Sequence, residues 1–217
     1  HPRLLTALIG AAALAFAAVA VAAILRASAT DGARSASGSG PVPAGTVAQA
    51  PSPFEGSVLP AGVRAPDFNL KDQDGDRVRM RDLRGRPVIV TFVYTRCRES
   101  CPAQLQQIKG AFDELGRDVP ALAIAVDPPH DTAASARHFL AEQGMAGRMD
   151  IAVGSRAELK PVWKGFAIQP QTENMEHQAR FTLVDARGYQ RVGFPLALAT
   201  PERLAHDVRV LEGEQAR

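Results

Sequence analysis

The chain has 217 residues, with 25 Lys and Arg against 23 Asp and Glu, and 46% of its residues are hydrophobic. A net charge of +2 with both signs interspersed excludes the one-sided basic footprint of a nucleic-acid binder. Two cysteines are too few for a disulfide-built scaffold, and a chain of this length buries a core without staples.

Leu4 to Leu25 is an apolar run of Ala, Val, Leu, Ile and Phe broken only by one Thr and one Gly. It has the ~20 residues needed to cross a bilayer core. Ala27-Ser-Ala29 resembles a signal-peptide cleavage site, but the apolar part of such a peptide is only about 7–15 residues. The expectation is an uncleaved transmembrane anchor over residues 1–26. Arg3 on one side and Arg26 and Arg34 on the other leave its orientation open. Residues 27–60 are rich in Ser, Gly, Ala and Pro and poor in bulky apolar side chains, so they read as a flexible linker. Residues 61–217 read as one globular domain.

Within that domain, Ala65–Leu70 and Arg77–Met80 flank the turn Asp72-Gln-Asp-Gly-Asp76, an N-terminal hairpin. Val88–Tyr94 is a β-branched and aromatic run without polar alternation, the pattern of a strand buried on both faces. Cys101–Leu115 carries Leu105, Ile108, Phe112 and Leu115 at helical spacing. Ser100 suits its N-cap, Pro102 its first turn and Gly116 its C-terminal close. Ala121–Val126 is a second buried strand, followed by the loop Asp127-Pro-Pro-His-Asp131 and a helix over Ala133–Gln143. Asp127 and Asp131 either orient His177 or cap that helix, and capping is the favoured reading. A further helix begins with the capping box Ser155-Arg-Ala-Glu158. Phe181–Val184 and Gln190–Phe194 pair around Asp185–Gly188, and Thr200-Pro201-Glu202 opens a last helix.

The order is hairpin, strand, helix, strand, helix, helix, hairpin, helix. Its strand–helix–strand unit demands a right-handed crossover and parallel pairing, and the closing hairpin adds antiparallel strands. The resulting mixed central sheet with flanking helices, bearing a cysteine pair at its first strand-to-helix junction, predicts a thioredoxin-like α/β fold. Ligands sit at the carboxyl ends of strands in such sheets, where Cys97 and Cys101 fall.

Both cysteines lie in Thr91-Phe-Val-Tyr-Thr-Arg-Cys97-Arg-Glu-Ser-Cys101-Pro102. A helix N-terminus favours thiolate over thiol, and the i, i+4 spacing brings two sulfurs near enough for a disulfide or a shared metal ion. A purely structural disulfide closing so small a loop stabilises by only roughly 2 kcal/mol. An anchor together with paired cysteines points to a domain outside the cytosol.

A metal needs a third ligand. His1 precedes the anchor, while His138 and His206 lie within helices and read as surface or core side chains. His130 follows the second parallel strand, nearer the cysteine edge. His177 ends a long polar loop, Pro170 to Ala179, leading into the strand Phe181–Val184. Thioredoxins usually carry a cis-proline before that strand; here Gln178-Ala-Arg180 stands instead, and the loop ends in an imidazole. Met175 is a possible thioether ligand but reads as solvent-facing. Two thiolates and one imidazole form a soft donor set suited to copper or zinc. Structural zinc normally takes four protein ligands, so three favour copper held for exchange.

Ala65-Pro-Asp-Phe68, the cysteine stretch, Val126-Asp-Pro-Pro-His-Asp-Thr132 and His177-Gln-Ala-Arg-Phe-Thr-Leu-Val-Asp185 together resemble the Sco/SenC family over roughly Ala61 to Leu211. The resemblance implies a membrane-anchored copper metallochaperone for the CuA site of cytochrome c oxidase subunit II, with other periplasmic copper chaperones as further partners. It also implies the inner membrane as location, with the domain on the periplasmic side. Cys97, Cys101 and His177 match the family's copper ligands. Arg98 stands where many members have proline. The alternative is a thiol–disulfide oxidoreductase acting through Cys97 and Cys101 on the CuA-site cysteines or other extracytoplasmic thiols. Ala65-Pro-Asp-Phe68 also opens peroxiredoxins, but their peroxidatic Thr-x-x-x-Cys spacing is absent around Cys97.

Overall fold

In the computed structural model, which describes residues 52–172 and 178–215, the sheet is built outward from the apolar run at Val88. The strands in chain order are β1 (Ser57–Val58), β2 (Leu70–Lys71), β3 (Arg77–Val78), β4 (Val88–Val93), β5 (Ala121–Ala125), β6 (Asp150–Ala152), β7 (Arg180–Val184) and β8 (Gln190–Pro195). The helices are α1 (Ser100–Leu115), α2 (Ala133–Glu142), α3 (Arg156–Gly165) and α4 (Pro201–Gln215). All six side chains of β4 are buried, as a central strand covered on both faces requires.

The main sheet runs β1-β8-β7-β4-β5-β6. β4, β5 and β6 are parallel, with Ile89 opposite Ala121 and Leu122 opposite Asp150. β7 is antiparallel to β4, with Thr91 opposite Phe181, and β8 and β1 continue the antiparallel half. This is the mixed sheet expected from the sequence. β2 and β3 pair separately as a short hairpin, with only two residues in each strand.

Alternation along the strands separates two cores. Ile89, Val93, Phe181 and Leu183 face one way, into a cluster with α1, α2 and α4 residues such as Leu105, Phe139 and Leu204. Val88, Val90, Phe92 and Val184 face the other way, toward Leu159, Val162 and Trp163 of α3 and toward Leu70 and Val78 of the hairpin. Helices on both faces follow from this period-2 division.

Most boundaries agree with the sequence within a residue or two. The Ser155–Glu158 capping box forms: Ser155 N donates to Glu158 Oε2 at 2.8 Å and Glu158 N to Ser155 Oγ at 3.4 Å. Gly116 closes α1 in the left-handed region at φ 69°, where glycine meets no steric penalty. Three expectations need correcting. Ser100 is the first residue of α1, not its cap; Glu99 holds the cap position and makes no side-chain cap bond. Asp127 and Asp131 do not cap α2, whose cap is Thr132, reciprocally bonded with Ser135. β6 lies between α2 and α3, where no strand was predicted.

An edge strand also precedes residue 61. Buried Asp207 of α4 accepts hydrogen bonds from Glu55 N at 2.8 Å and Gly56 N at 3.0 Å, aligning the chain to pair with β8. Gly56 is required there, since a Cβ would lie 2.4 Å from Val192 Cγ1. The predicted anchor, residues 1–26, and most of the predicted linker lie outside the described residues. Among the described residues, no helix is long and apolar enough to cross a membrane.

Candidate metal centre

β4 ends at Val93, and the chain turns at once: Cys97 N donates to Tyr94 O at 3.1 Å, folding residues 94–97 back toward the start of α1. Cys97 is therefore in the loop rather than on the helix, and only Cys101 lies within α1. Cys101 N donates to Cys97 Sγ at 3.1 Å, and Ser100 Oγ lies 3.3 Å from the same sulfur. Cys97 Sγ thus takes the place of the missing cap, accepting one of the orphan N–H groups of the helix N-terminus.

Both thiols are free and both are buried, Cys101 completely. Their acidities diverge. A hydrogen bond from the Cys101 thiol, with support from Ser100 and the N–H groups of Cys101 and Glu99, brings Cys97 down to about 4 against the opposing effect of burial. Burial pushes Cys101 far up, and the neighbouring Cys97 thiolate adds to the rise. One sulfur is a ready thiolate and the other a retained thiol, an asymmetry that spacing alone does not reveal.

Two carboxylates of the β5–α2 loop brace this junction. Asp131 accepts from Thr95 N at 2.8 Å, Thr95 Oγ1 at 2.9 Å and Asp127 N at 2.8 Å, tying the cysteine loop to its neighbour. Burial lifts its carboxyl above the usual range, partly offset by those hydrogen bonds. Asp127 Oδ2 lies 3.2 Å from Arg96 Nη2 and 2.9 Å from His130 Nδ1. His130 is thereby committed through one ring nitrogen to Asp127. Asp131→Ala leaves the buried Asp127 N and the Thr95 groups without their acceptor, so it should cost about 3 kcal/mol of unfolding free energy. Urea denaturation checks this, and a loss below about 1 kcal/mol would mean that other contacts hold the two loops together.

His177 and Met175 lie outside the described residues. β7 begins three residues after His177, and its start abuts the carboxyl end of β4. Thr91 Oγ1 donates to Arg180 O at 3.0 Å, and Gln104 Nε2 reaches both Thr91 Oγ1 and, at 3.3 Å, Arg180 O. Gln104, one turn beyond Cys101 and completely buried, links the cysteine helix to the strand that follows the histidine loop. The sequence reading missed it; the available signal was a polar residue on the apolar stripe of α1, beside Leu105 and Ile108. His138 and His206 are engaged elsewhere, with Glu142 and Asp207. Among the described residues, no three His, Cys, Asp or Glu side chains converge as a metal site. The described part of the candidate centre is the cysteine pair, whose soft sulfurs would suit a copper ion.

The family model SCO1/SenC matches residues 60–211, well over half of the chain. The chain belongs to the SCO1/SenC family. This SCO1/SenC protein is 30% identical over 105 residues to SCO1 homolog 1, mitochondrial, of Arabidopsis thaliana, covering 46% of this chain but only 31% of that one. It is 31% identical over 131 residues to peroxiredoxin Bcp of Escherichia coli, covering 60% of this chain and 81% of that one. Its fold matches the structure of Bradyrhizobium japonicum ScoI with copper bound at a TM-score of 0.59 and 29% identity, covering 68% of this chain and 99% of that one.

Proposed function

We propose that this SCO1/SenC protein is a copper metallochaperone, holding the ion through Cys97, Cys101 and His177 and delivering it to the CuA site of cytochrome c oxidase subunit II. The observation that carries the reading is the sulfur pair at the α1 N-terminus: two free cysteines, with Cys97 Sγ hydrogen-bonded by Cys101 N and its pKa drawn down by that thiol neighbour. The copper-bound ScoI relative supports copper as the cargo. Residues 1–26 would anchor the protein in the inner membrane and residues 27–60 would tether the domain on the periplasmic side. Other periplasmic copper chaperones would supply the metal.

A second reading rests on a specific feature. A low-pKa thiolate beside a buried protonated thiol is also the arrangement of an attacking and a resolving cysteine in thiol–disulfide exchange, and the likeness to peroxiredoxin Bcp fits it. His177 favours the metal reading, because exchange needs no imidazole.

The test is copper uptake by the full-length chain in its dithiol and disulfide forms. The dithiol should bind one Cu(I), and the disulfide, having no thiolate to offer, none. Equal uptake by both forms would overturn the reading. Uptake should also depend on pH. Cys97 is deprotonated above about pH 4, so near neutrality only the Cys101 proton remains to be displaced. Apparent affinity should then rise about tenfold for each pH unit upward, with one proton released.

A further inference from the structure

Beside the cysteine loop, at the carboxyl ends of β4 and β5, lies a cavity of about 660 Å³. Its walls include Tyr94, Arg96, Asp127, His130, Arg156 and Thr172. Among the described residues, two guanidinium groups and an imidazole therefore face a single carboxylate. That carboxylate is already committed, since Asp127 Oδ2 holds both Arg96 and His130. Arg156 has no ion-pair partner among the described residues, and its guanidinium approaches the Trp163 ring only loosely, 6.0 Å from the centroid.

The backbone adds to this imbalance. β4, β5 and β6 are parallel, so α1, α2 and α3, which follow them, all begin at this edge of the sheet. Each brings the positive end of its dipole there. Arg156 is the first residue of α3, where a cation is disfavoured by that dipole. Arg98 is exposed on the cysteine loop and also has no ion-pair partner among the described residues. Among the described residues, Arg98 and Arg156 thus stand beside the thiols without a carboxylate partner.

We propose that this cavity is a docking socket for an acidic side chain on the protein that receives the copper. The inference rests on the delivery reading above and names the chemistry of the partner's face: a carboxylate beside its metal-accepting site. Arg96 is 61% exposed at its side chain, open to a group presented by a protein surface. Arg156, without an ion-pair partner among the described residues, supplies the charge that the incoming carboxylate neutralises. The socket acts on docking and leaves the metal–sulfur bonds alone.

The test follows Cu(I) transfer from the full-length chain to the soluble domain of cytochrome c oxidase subunit II, using Arg156→Glu and Arg156→Lys. Arg156→Glu should bind copper with the parent's stoichiometry but transfer it about tenfold more slowly at low ionic strength, with the gap closing near 0.5 M salt through screening, by an order-of-magnitude estimate. Arg156→Lys should stay near the parent. Parental transfer by Arg156→Glu at low salt would overturn the socket while delivery stands. So would an equal deficit at both salt concentrations, or loss of copper from Arg156→Glu itself. Failure of the parent to load the domain at all would overturn delivery, and the socket with it.

Discussion

Cys97→Ser and Cys101→Ser are each expected to abolish stable copper binding while the fold persists. A serine hydroxyl is a hard donor that does not ionise near neutrality, so it does not replace a thiolate toward a soft ion. The loss should be on the order of a thousandfold in affinity, about 4 kcal/mol. The fold survives for different reasons at the two positions. At residue 97 a hydroxyl oxygen still accepts the Cys101 N–H and stays near Ser100 Oγ, so the helix N-terminus keeps its cap. At residue 101 the hydroxyl enters a completely buried site within the core cluster that holds Leu105 and Phe181, at a cost of about 1–3 kcal/mol that a domain with two large cores tolerates. Metal analysis after equilibration with Cu(I), run beside thermal unfolding, checks both halves. Either serine variant holding one copper as tightly as the parent would remove its sulfur from the proposed ligand set.

The same junction shows why some of this was legible in the sequence and some was not. β4 announced itself because a six-residue β-branched and aromatic run, with Thr91 its one polar member, has one stable use, a strand covered on both faces. α1, α3 and α4 were legible because their periodicity came with punctuation: Gly116, the Ser155–Glu158 box, and Thr200 with Pro201. β6 was not, because three residues are too few to show a period, and Asp150-Ile-Ala gains its strand identity from pairing with β5. β1 was hidden in a Ser- and Pro-rich stretch; it exists because Asp207, far away in sequence, satisfies Glu55 N and Gly56 N.

Within the site, residue types were legible and their hydrogen bonding was not. Cys97 and Cys101 were evident from their spacing, yet one is a low-pKa sulfur outside the helix and the other a buried thiol within it. Asp131 read as a helix cap because Asp commonly precedes helices. The chain instead gives that work to Thr132 and turns the Asp131 carboxylate back onto Thr95. Such a choice is decided by which loop packs alongside, and that information is nonlocal.

His177→Ala separates the two functional readings, and its expected effect is as large as that of losing a cysteine. Disulfide exchange needs an attacking thiolate, a resolving thiol and access; all three remain when the imidazole is removed. Copper delivery needs a ligand that helps hold the ion and can be exchanged at hand-over, a role suited to a neutral imidazole beside two thiolates. In the variant, Cu(I) should still bind through the two sulfurs, more weakly, while Cu(II), which prefers nitrogen donors, should be lost more completely. In cells that depend on this protein for oxidase assembly, His177→Ala should resemble Cys97→Ser: low oxidase activity and low CuA content, partly restored by added copper. Because β7 is held by its ladder with β4 and by the bonds of Thr91 and Gln104 to Arg180 O, the strand after residue 177 should keep its place, and the phenotype would report the imidazole. Near-normal oxidase activity without added copper would transfer the assignment to thiol–disulfide exchange. Parental Cu(II) binding by the variant would remove His177 from the ligand set. His130, half-exposed with one ring nitrogen on Asp127, would then be the next imidazole to replace.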